Sequence, residues 1–145
     1  MPRKISGKTA GKTAEKKTET IIIEKKIIIV GASNDKEKFG NRAVRAYLSK
    51  GWTVYPINLY EKEIEGVKVY KRVIEVPGEV ELASVYLPPE IGLKVVNDLA
   101  AKGIKRVYLN PGAESDELVA KLKERNIQPV LACSITAIGL DPFSL

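Results

Sequence analysis

Residues Lys26 to Gly51, KIIIVGASNDKEKFGNRAVRAYLSKG, constrain the fold most, because they join a fully apolar run to a helix through a polar loop bounded by glycines. Ile27-Ile28-Ile29-Val30 shows no polar alternation, which suits a central parallel strand buried on both faces, and β-branched side chains pack well on that surface. Beyond the loop, Ala43, Val44, Tyr47 and Leu48 recur at helical spacing, and Gly51 stands where a left-handed residue would close the helix. A strand feeding a helix in this way leaves unpaired backbone N–H groups above the sheet, where an anion is favoured. The unit reads as strand, phosphate loop, helix.

The loop Gly31-Ala32-Ser33-Asn34-Asp35-Lys36-Glu37-Lys38-Phe39-Gly40 matches neither common glycine-rich signature. A GxGxxG pattern needs a second glycine at position 33, and a Walker loop needs Gly-Lys-Ser/Thr after four free residues. In their place stand small residues, a serine and an asparagine able to hydrogen-bond phosphate oxygens, two lysines, and a glycine entering the helix. Gly31, Ala32, Ser33, Asn34, Lys38, Phe39 and Gly40 are the candidate ligand residues of this loop.

Further along, Trp52 to Asn58 reads as a second strand, Val67 to Tyr70 as a short third strand at the sheet edge after the Glu65-Gly66 turn, and Val73 to Val76 as one helical turn. Leu82 to Leu87 is a fourth strand stopped by Pro88-Pro89, and proline suits the first turn of the helix that follows, with Ile91, Val95, Val96, Leu99 and Ala100 on one face. Lys105 to Leu109 is a fifth strand. The next helix begins acidic at Glu114, Asp116 and Glu117 and ends basic at Lys121, Lys123 and Arg125, opposing its dipole. Gln128 to Ala132 is the last strand, and the tail from Ser134 has no clear periodicity. This alternation predicts an α/β, three-layer, Rossmann-like domain over 21–145: a mostly parallel sheet, right-handed crossovers and helices on both faces. Ligands of such sheets bind outside the carboxyl ends of the strands, where loops 31–40, 58–62, 87–91 and 110–114 converge. Ile21-Ile22-Ile23 extends the first strand or forms a separate short element.

Composition narrows the partners. Of the formal charge of +6 over 145 residues, the first twenty carry +4, from Arg3, Lys4, Lys8, Lys12, Lys16 and Lys17 against Glu15 and Glu19. That stretch, 1–20, has almost no apolar side chains and reads as a disordered basic tail; GKT at 7–9 and 11–13 has neither a strand before it nor an apolar helix after it. The body is only mildly basic and has no aromatic-interleaved basic stripe, so nucleic acid is not an expected partner. No run is long enough to cross a membrane and no secretion signal is evident, which makes the cytoplasm the default location. Cys133 has no second cysteine to pair with and, with no histidine in the chain, no imidazole partner. It is either a small core residue or a thiol at the carboxyl edge of the last strand.

With those loops in view, the chain resembles, from about Ile27 to Cys133, the small stand-alone CoA-binding proteins related to the nucleotide-binding domain of the succinyl-CoA synthetase alpha subunit. The matching pieces are VGASNDKEKFG (30–40), YPINLYEKEIEG (55–66), YLPPEIG (86–92), NPGAESDEL (110–118) and the cysteine after the last strand. The resemblance implies coenzyme A, or a short acyl-CoA, as ligand. The first loop would hold the pyrophosphate, and the second, with Asn58, Leu59 and Lys62, the adenosine and its 3′-phosphate. The proline loop, with Leu87, Pro88, Pro89 and Ile91, would pack against the adenine or the pantetheine arm, and Asn110 and Gly112 complete the site. The family commonly has Asn-Pro-Lys where this chain has Asn58-Leu59-Tyr60. The synthetase's phosphorylated histidine has no counterpart here, so a non-catalytic binding module is expected, with room for a homo-oligomer or a protein partner. The alternative is an NAD(P)-binding oxidoreductase or regulatory nucleotide-binding domain, against which stands Asn58, where a dinucleotide site usually has Asp or Glu.

Overall fold

The computed structural model describes residues 25–145. The expected basic tail at 1–20 and the run Ile21–Ile23 lie outside the described residues. Five parallel strands form the main sheet: β1 (Lys26–Val30), β2 (Thr53–Ile57), β5 (Leu82–Val85), β6 (Arg106–Leu109) and β7 (Gln128–Leu131), in the order β2-β1-β5-β6-β7. β1 is the apolar run, and its residues divide by turns between two cores. Ile28 and Val30 join Ala83, Val85, Val107 and Leu109 under Leu99, Leu118 and Leu122, whereas Ile27 and Ile29 meet Ala43, Val44, Tyr47 and Val54 on the other face. A strand buried on both faces has no use for polar alternation, and that is the pattern the sequence carries.

Helix α1 (Phe39–Ser49) covers one face, and Gly51 follows its end at φ +83°, in the left-handed region that glycine adopts freely. The other face is covered by α2 (Pro89–Gly92), α3 (Val96–Lys102) and α4 (Asp116–Glu124). One continuous helix was expected over the α2 to α3 stretch. Instead a 3₁₀ turn at Leu93–Val95 separates the two pieces. Gly92 favours a helix weakly, and a Cβ there would meet the Leu118 side chain at 3.1 Å, so the bend lets α4 pack closely. In α4, Ser115 is the N-cap, its hydroxyl accepting from the Leu118 N–H at 3.1 Å, with Asp116 and Glu117 in the first turn and Lys121 and Lys123 in the last. Glu114 lies outside the helix.

The region after β2 also differs from expectation. Val67–Lys68 (β4) does not join the main sheet but pairs antiparallel with Glu63–Ile64 (β3) as a separate hairpin, and only Tyr70 reaches the sheet, through a parallel bridge to Ile57. The Glu65-Gly66 turn stands as expected, with both residues at positive φ, a conformation whose twist matches that of two antiparallel strands. Val73–Glu75 forms the expected single helical turn. The tail holds two 3₁₀ turns, Thr136–Ile138 and Pro142–Ser144.

The tail is tied down from α1: the buried Tyr47 hydroxyl donates to the Ser134 carbonyl at 2.7 Å. Burial raises the Tyr47 pKa far above the ordinary phenol range, so the donor is present at any physiological pH. Tyr47→Phe leaves that carbonyl buried without its donor, and urea denaturation is expected to give a loss of roughly 1–3 kcal/mol.

Candidate functional site

The strand order reverses between β1 and β5, so the crevice above their carboxyl ends is the switch point at which such sheets take ligands. Two loops meet there at backbone distance. Gly31 has φ +90°, and a Cβ on it would stand 2.7 Å from the Tyr86 carbonyl oxygen; a Cβ on Gly40 would stand 2.2 Å from the Gly31 carbonyl oxygen. Both glycines are required by the chain's own packing, and α1 is thereby seated directly on the end of β1.

The loop between them is wired by its own side chains. Ser33 Oγ accepts from the Asp35 N–H and Asp35 Oδ1 from the Glu37 N–H, both at 3.0 Å, while the Lys38 N–H donates to the Asp35 carbonyl. The Ser33 carbonyl accepts from Asn41 Nδ2 at 2.9 Å and the Lys36 carbonyl from an Arg45 guanidinium nitrogen at 2.9 Å. Asn34 points its amide outward, donating to Glu61 Oε1 at 2.8 Å and to the Glu63 carbonyl at 3.0 Å. Thus the Asn34 amide, which the sequence offers as a phosphate ligand, serves the loop itself, whereas Ser33 Oγ accepts within the loop and keeps its own O–H as a donor. Beside it at the two ends of the loop, the backbone N–H groups of Ser33, Asn34, Phe39 and Gly40 donate to no acceptor among the described residues. Unpaired N–H groups at a helix start suit an anion. Lys38 is exposed beside them, and Phe39 is exposed with the Arg42 guanidinium over its ring.

Asn58 joins the second loop to the first. Its Nδ2 donates to the Ala32 carbonyl at 2.9 Å, and its Oδ1 accepts from the Tyr60 and Glu61 N–H groups at 2.8 and 3.0 Å. The side chain is therefore an architectural tie and shapes a tight turn whose following residues, Leu59 and Tyr60, are 62% and 88% exposed. Lys62 is exposed on the same loop.

On the other wall, Leu87 and Pro89 are half-buried and Pro88 and Ile91 are exposed at the entry to α2, which begins with proline as its sequence predicts. Beneath them lies a buried polar cluster. Asn110 Nδ2 donates to Ser84 Oγ at 2.7 Å and to the Val85 carbonyl at 2.9 Å, and its Oδ1 accepts from the Ser134 N–H at 2.8 Å. Ser134 Oγ shares hydrogen bonds with Ser84 Oγ at 2.7 Å and with the Tyr86 hydroxyl at 2.8 Å. Burial pushes the Tyr86 hydroxyl up to about 12, so it stays a donor at neutral pH. Asn110 is thus a buried joint under the crevice. Gly112 is exposed at φ +94°, and its N–H donates to Glu114 Oε1 at 2.9 Å. Cys133 is half-buried, a free thiol packed against the core on the α1 side.

Four residues of this architecture were not singled out from the sequence: Asn41, Arg45, Glu61 and Glu65. Asn41 is fully buried, and its Nδ2 donates to both Ser33 O and Glu65 Oε2, the latter at 3.1 Å, while Arg45 Nε donates to its Oδ1 at 2.7 Å. The available signal was a polar residue three positions before Val44 on the apolar stripe of α1. The Asn41 amide holds the Glu65 carboxyl below the usual carboxylate range, with Lys36 Nζ 3.5 Å away adding to the effect. Since folding lowers that pKa, the contribution is present above the ordinary glutamate range and fades as pH falls below it.

A parallel five-stranded sheet with helices on both faces and loops meeting at its switch point is a Rossmann-like α/β domain. The chain belongs to the CoA binding domain family, whose model matches residues 25–138. Among curated proteins it is similar to acetate–CoA ligase (ADP-forming) II subunit alpha of Pyrococcus furiosus, 39% identical over 84 residues, covering 57% of this chain and 18% of that one. It is also similar to the ADP-forming I subunit alpha of the same organism, 32% identical over 135 residues, covering 88% of this chain and 29% of that protein. The chain thus spans less than a third of either relative. Among solved structures, a conserved hypothetical protein from Pyrococcus furiosus superposes with a TM-score of 0.71 at 34% identity, covering 77% of this chain and 97% of that one.

Gly40→Ala forces a Cβ into the Gly31 carbonyl, and because the obstacle is backbone the loop or helix must shift. Thermal unfolding is expected to show a loss of at least about 2 kcal/mol, in the range of backbone strain and overpacking.

Proposed function

We propose that this domain binds coenzyme A, or a short acyl-CoA, in the crevice between loop 31–40 and the Leu87–Pro89 wall, and that it does so as a binding module without chemistry of its own. One observation carries the reading: in a CoA binding domain, the N–H groups of Ser33, Asn34, Phe39 and Gly40, unpaired among the described residues, follow the carboxyl end of β1 at the switch point of the sheet. A pyrophosphate is the part of CoA that such groups suit, since each N–H is an anion donor and the α1 dipole adds to them. Lys38 supplies a nearby positive charge. Lys62, on the Asn58 turn, is the proposed partner of the 3′-phosphate. Leu59, Tyr60 and Ile91 are exposed apolar side chains on the surrounding loops and suit the adenine and the pantetheine arm.

The two serines near the crevice lack what would activate them, and Cys133, a free thiol, has no imidazole beside it. Ser33 Oγ accepts a loop N–H, Ser134 Oγ is enclosed by Ser84 and Tyr86, and the chain has no histidine to activate either. At the end of β2, where an NAD site places a carboxylate for the ribose diol, Asn58 has its amide nitrogen and oxygen committed to Ala32, Tyr60 and Glu61.

Calorimetry on the full chain with CoA, acetyl-CoA, NADH and NADP separates the readings. CoA is expected to bind with micromolar or better affinity and the nicotinamide cofactors not at all; tighter binding of NADH than of CoA overturns the assignment. Lys62→Ala is expected to weaken CoA by roughly tenfold, the scale of one charge-assisted hydrogen bond, while leaving dephospho-CoA unchanged.

A further inference from the structure

The hairpin β3–β4 turns through Glu65 and Gly66, both at positive φ, with Glu65 at φ +52°. Such two-residue turns favour Asn, Asp or Gly at the first position, because a longer side chain in the left-handed region is strained. Glutamate is therefore a costly choice for making a turn. Its carboxylate is engaged elsewhere, accepting from Asn41 Nδ2 at 3.1 Å and lying 3.5 Å from Lys36 Nζ. Asn41 in turn is the buried hub of loop 31–40.

We infer that Glu65 is a positioning residue for the anion site, retained at the expense of turn geometry because it fixes the orientation of the Asn41 carboxamide. The amide has two ends that differ chemically. Glu65 presents only acceptor oxygens to the Nδ2 side, and the Arg45 guanidinium presents only a donor to Oδ1. A flipped amide would set oxygen against carboxylate and nitrogen against guanidinium, so Asn41 keeps its remaining N–H on the Ser33 carbonyl. Holding that carbonyl on the Asn41 side turns the Asn34 N–H, the opposite end of the same planar peptide, the other way. The hairpin thereby sets the direction of a backbone donor it does not touch.

The inference rests on the proposed anion site, and the test separates the two. Glu65→Gly removes the carboxylate and relieves the positive φ, because glycine adopts that region without steric cost. Relief of the positive φ offsets the lost bonds to Asn41 and Lys36, so the expected result is a melting temperature close to that of the wild type, together with roughly tenfold weaker CoA binding by calorimetry. Glu65→Gln keeps one acceptor oxygen for Asn41 but loses the attraction to Lys36, and is expected to recover most of the affinity. Amide hydrogen exchange of the free proteins reads the loop without any ligand: Asp35, Glu37 and Lys38, its hydrogen-bonded amides, are expected to exchange faster in Glu65→Gly than in the wild type. Unchanged exchange at those three amides, or CoA affinity equal to wild type in Glu65→Gly, overturns the positioning role. Faster exchange with no CoA binding by the wild type itself overturns the CoA assignment and leaves the positioning role standing.

Discussion

Two close approaches of backbone to backbone underlie the geometry of the crevice: Gly31 against the Tyr86 carbonyl, and Gly40 against the Gly31 carbonyl. Neither position has room for a Cβ, so three segments stack at van der Waals distance at the end of β1: the turn after β5, the start of the loop, and the first turn of α1. A longer loop cannot replace this arrangement, because the helix start must lie over the strand end for its N–H groups to face the crevice. The two glycines thus do what the spacing of a GxGxxG motif does elsewhere, nine positions apart within a loop that lacks that motif.

Once the glycines bring the segments together, the polar side chains of the loop have one common use. Ser33, Asp35, Asn34, Asn41 and Asn58 bond backbone or hairpin groups, which satisfies the outward carbonyls and several of the N–H groups. Side chains engaged in this way act on the shape of the loop, and the backbone amides they leave unpaired hold a fixed direction that flexible side chains would lose entropy to match. The sequence shows the loop as a polar segment between strand and helix, and several of its polar residues bond within the loop and to its neighbours.

This explains which parts were legible beforehand. β1, the loop and α1 are read directly from the sequence, because a strand buried on both faces and an amphipathic helix each leave a periodicity in it. The same holds for α4, whose charged ends are local signals, although its Ser115 cap is seen only in the structure. Val67 to Tyr70 reads from the sequence as an edge strand of the main sheet and Glu63–Ile64 not as a strand at all, because strands of two residues are too short to carry a period and only the Glu65-Gly66 turn marks them. The close approach of Leu118 to Gly92, beside the break between α2 and α3, joins residues more than twenty apart, and no local pattern encodes it. Asn110 and Asn58 are site residues that the resemblance implies; the protein groups they bond are a matter of tertiary neighbours, β5 and the tail for Asn110 and the loop after β1 for Asn58.

The two walls of the crevice are held by bonds of different strength. On the β5 and β6 side, Ser84, Asn110 and Ser134 form a buried cluster in which each polar atom has a partner, and breaking one bond there leaves a donor or acceptor unpaired in a medium of low dielectric. On the hairpin side, the Asn34–Glu61 bond is exposed and the Lys36–Glu65 pair involves a lysine side chain that is 71% exposed, so water replaces each at small cost. Local opening follows the cheaper bonds. The Tyr86–Leu87 wall rests on its buried cluster, whereas the hairpin combines those exposed ties with two buried anchors, Ile64 in the core beside Ile27 and Ile29 and Glu65 on the buried Asn41. The two walls of the crevice therefore differ at their outer edges, where the hairpin side alone depends on bonds open to water.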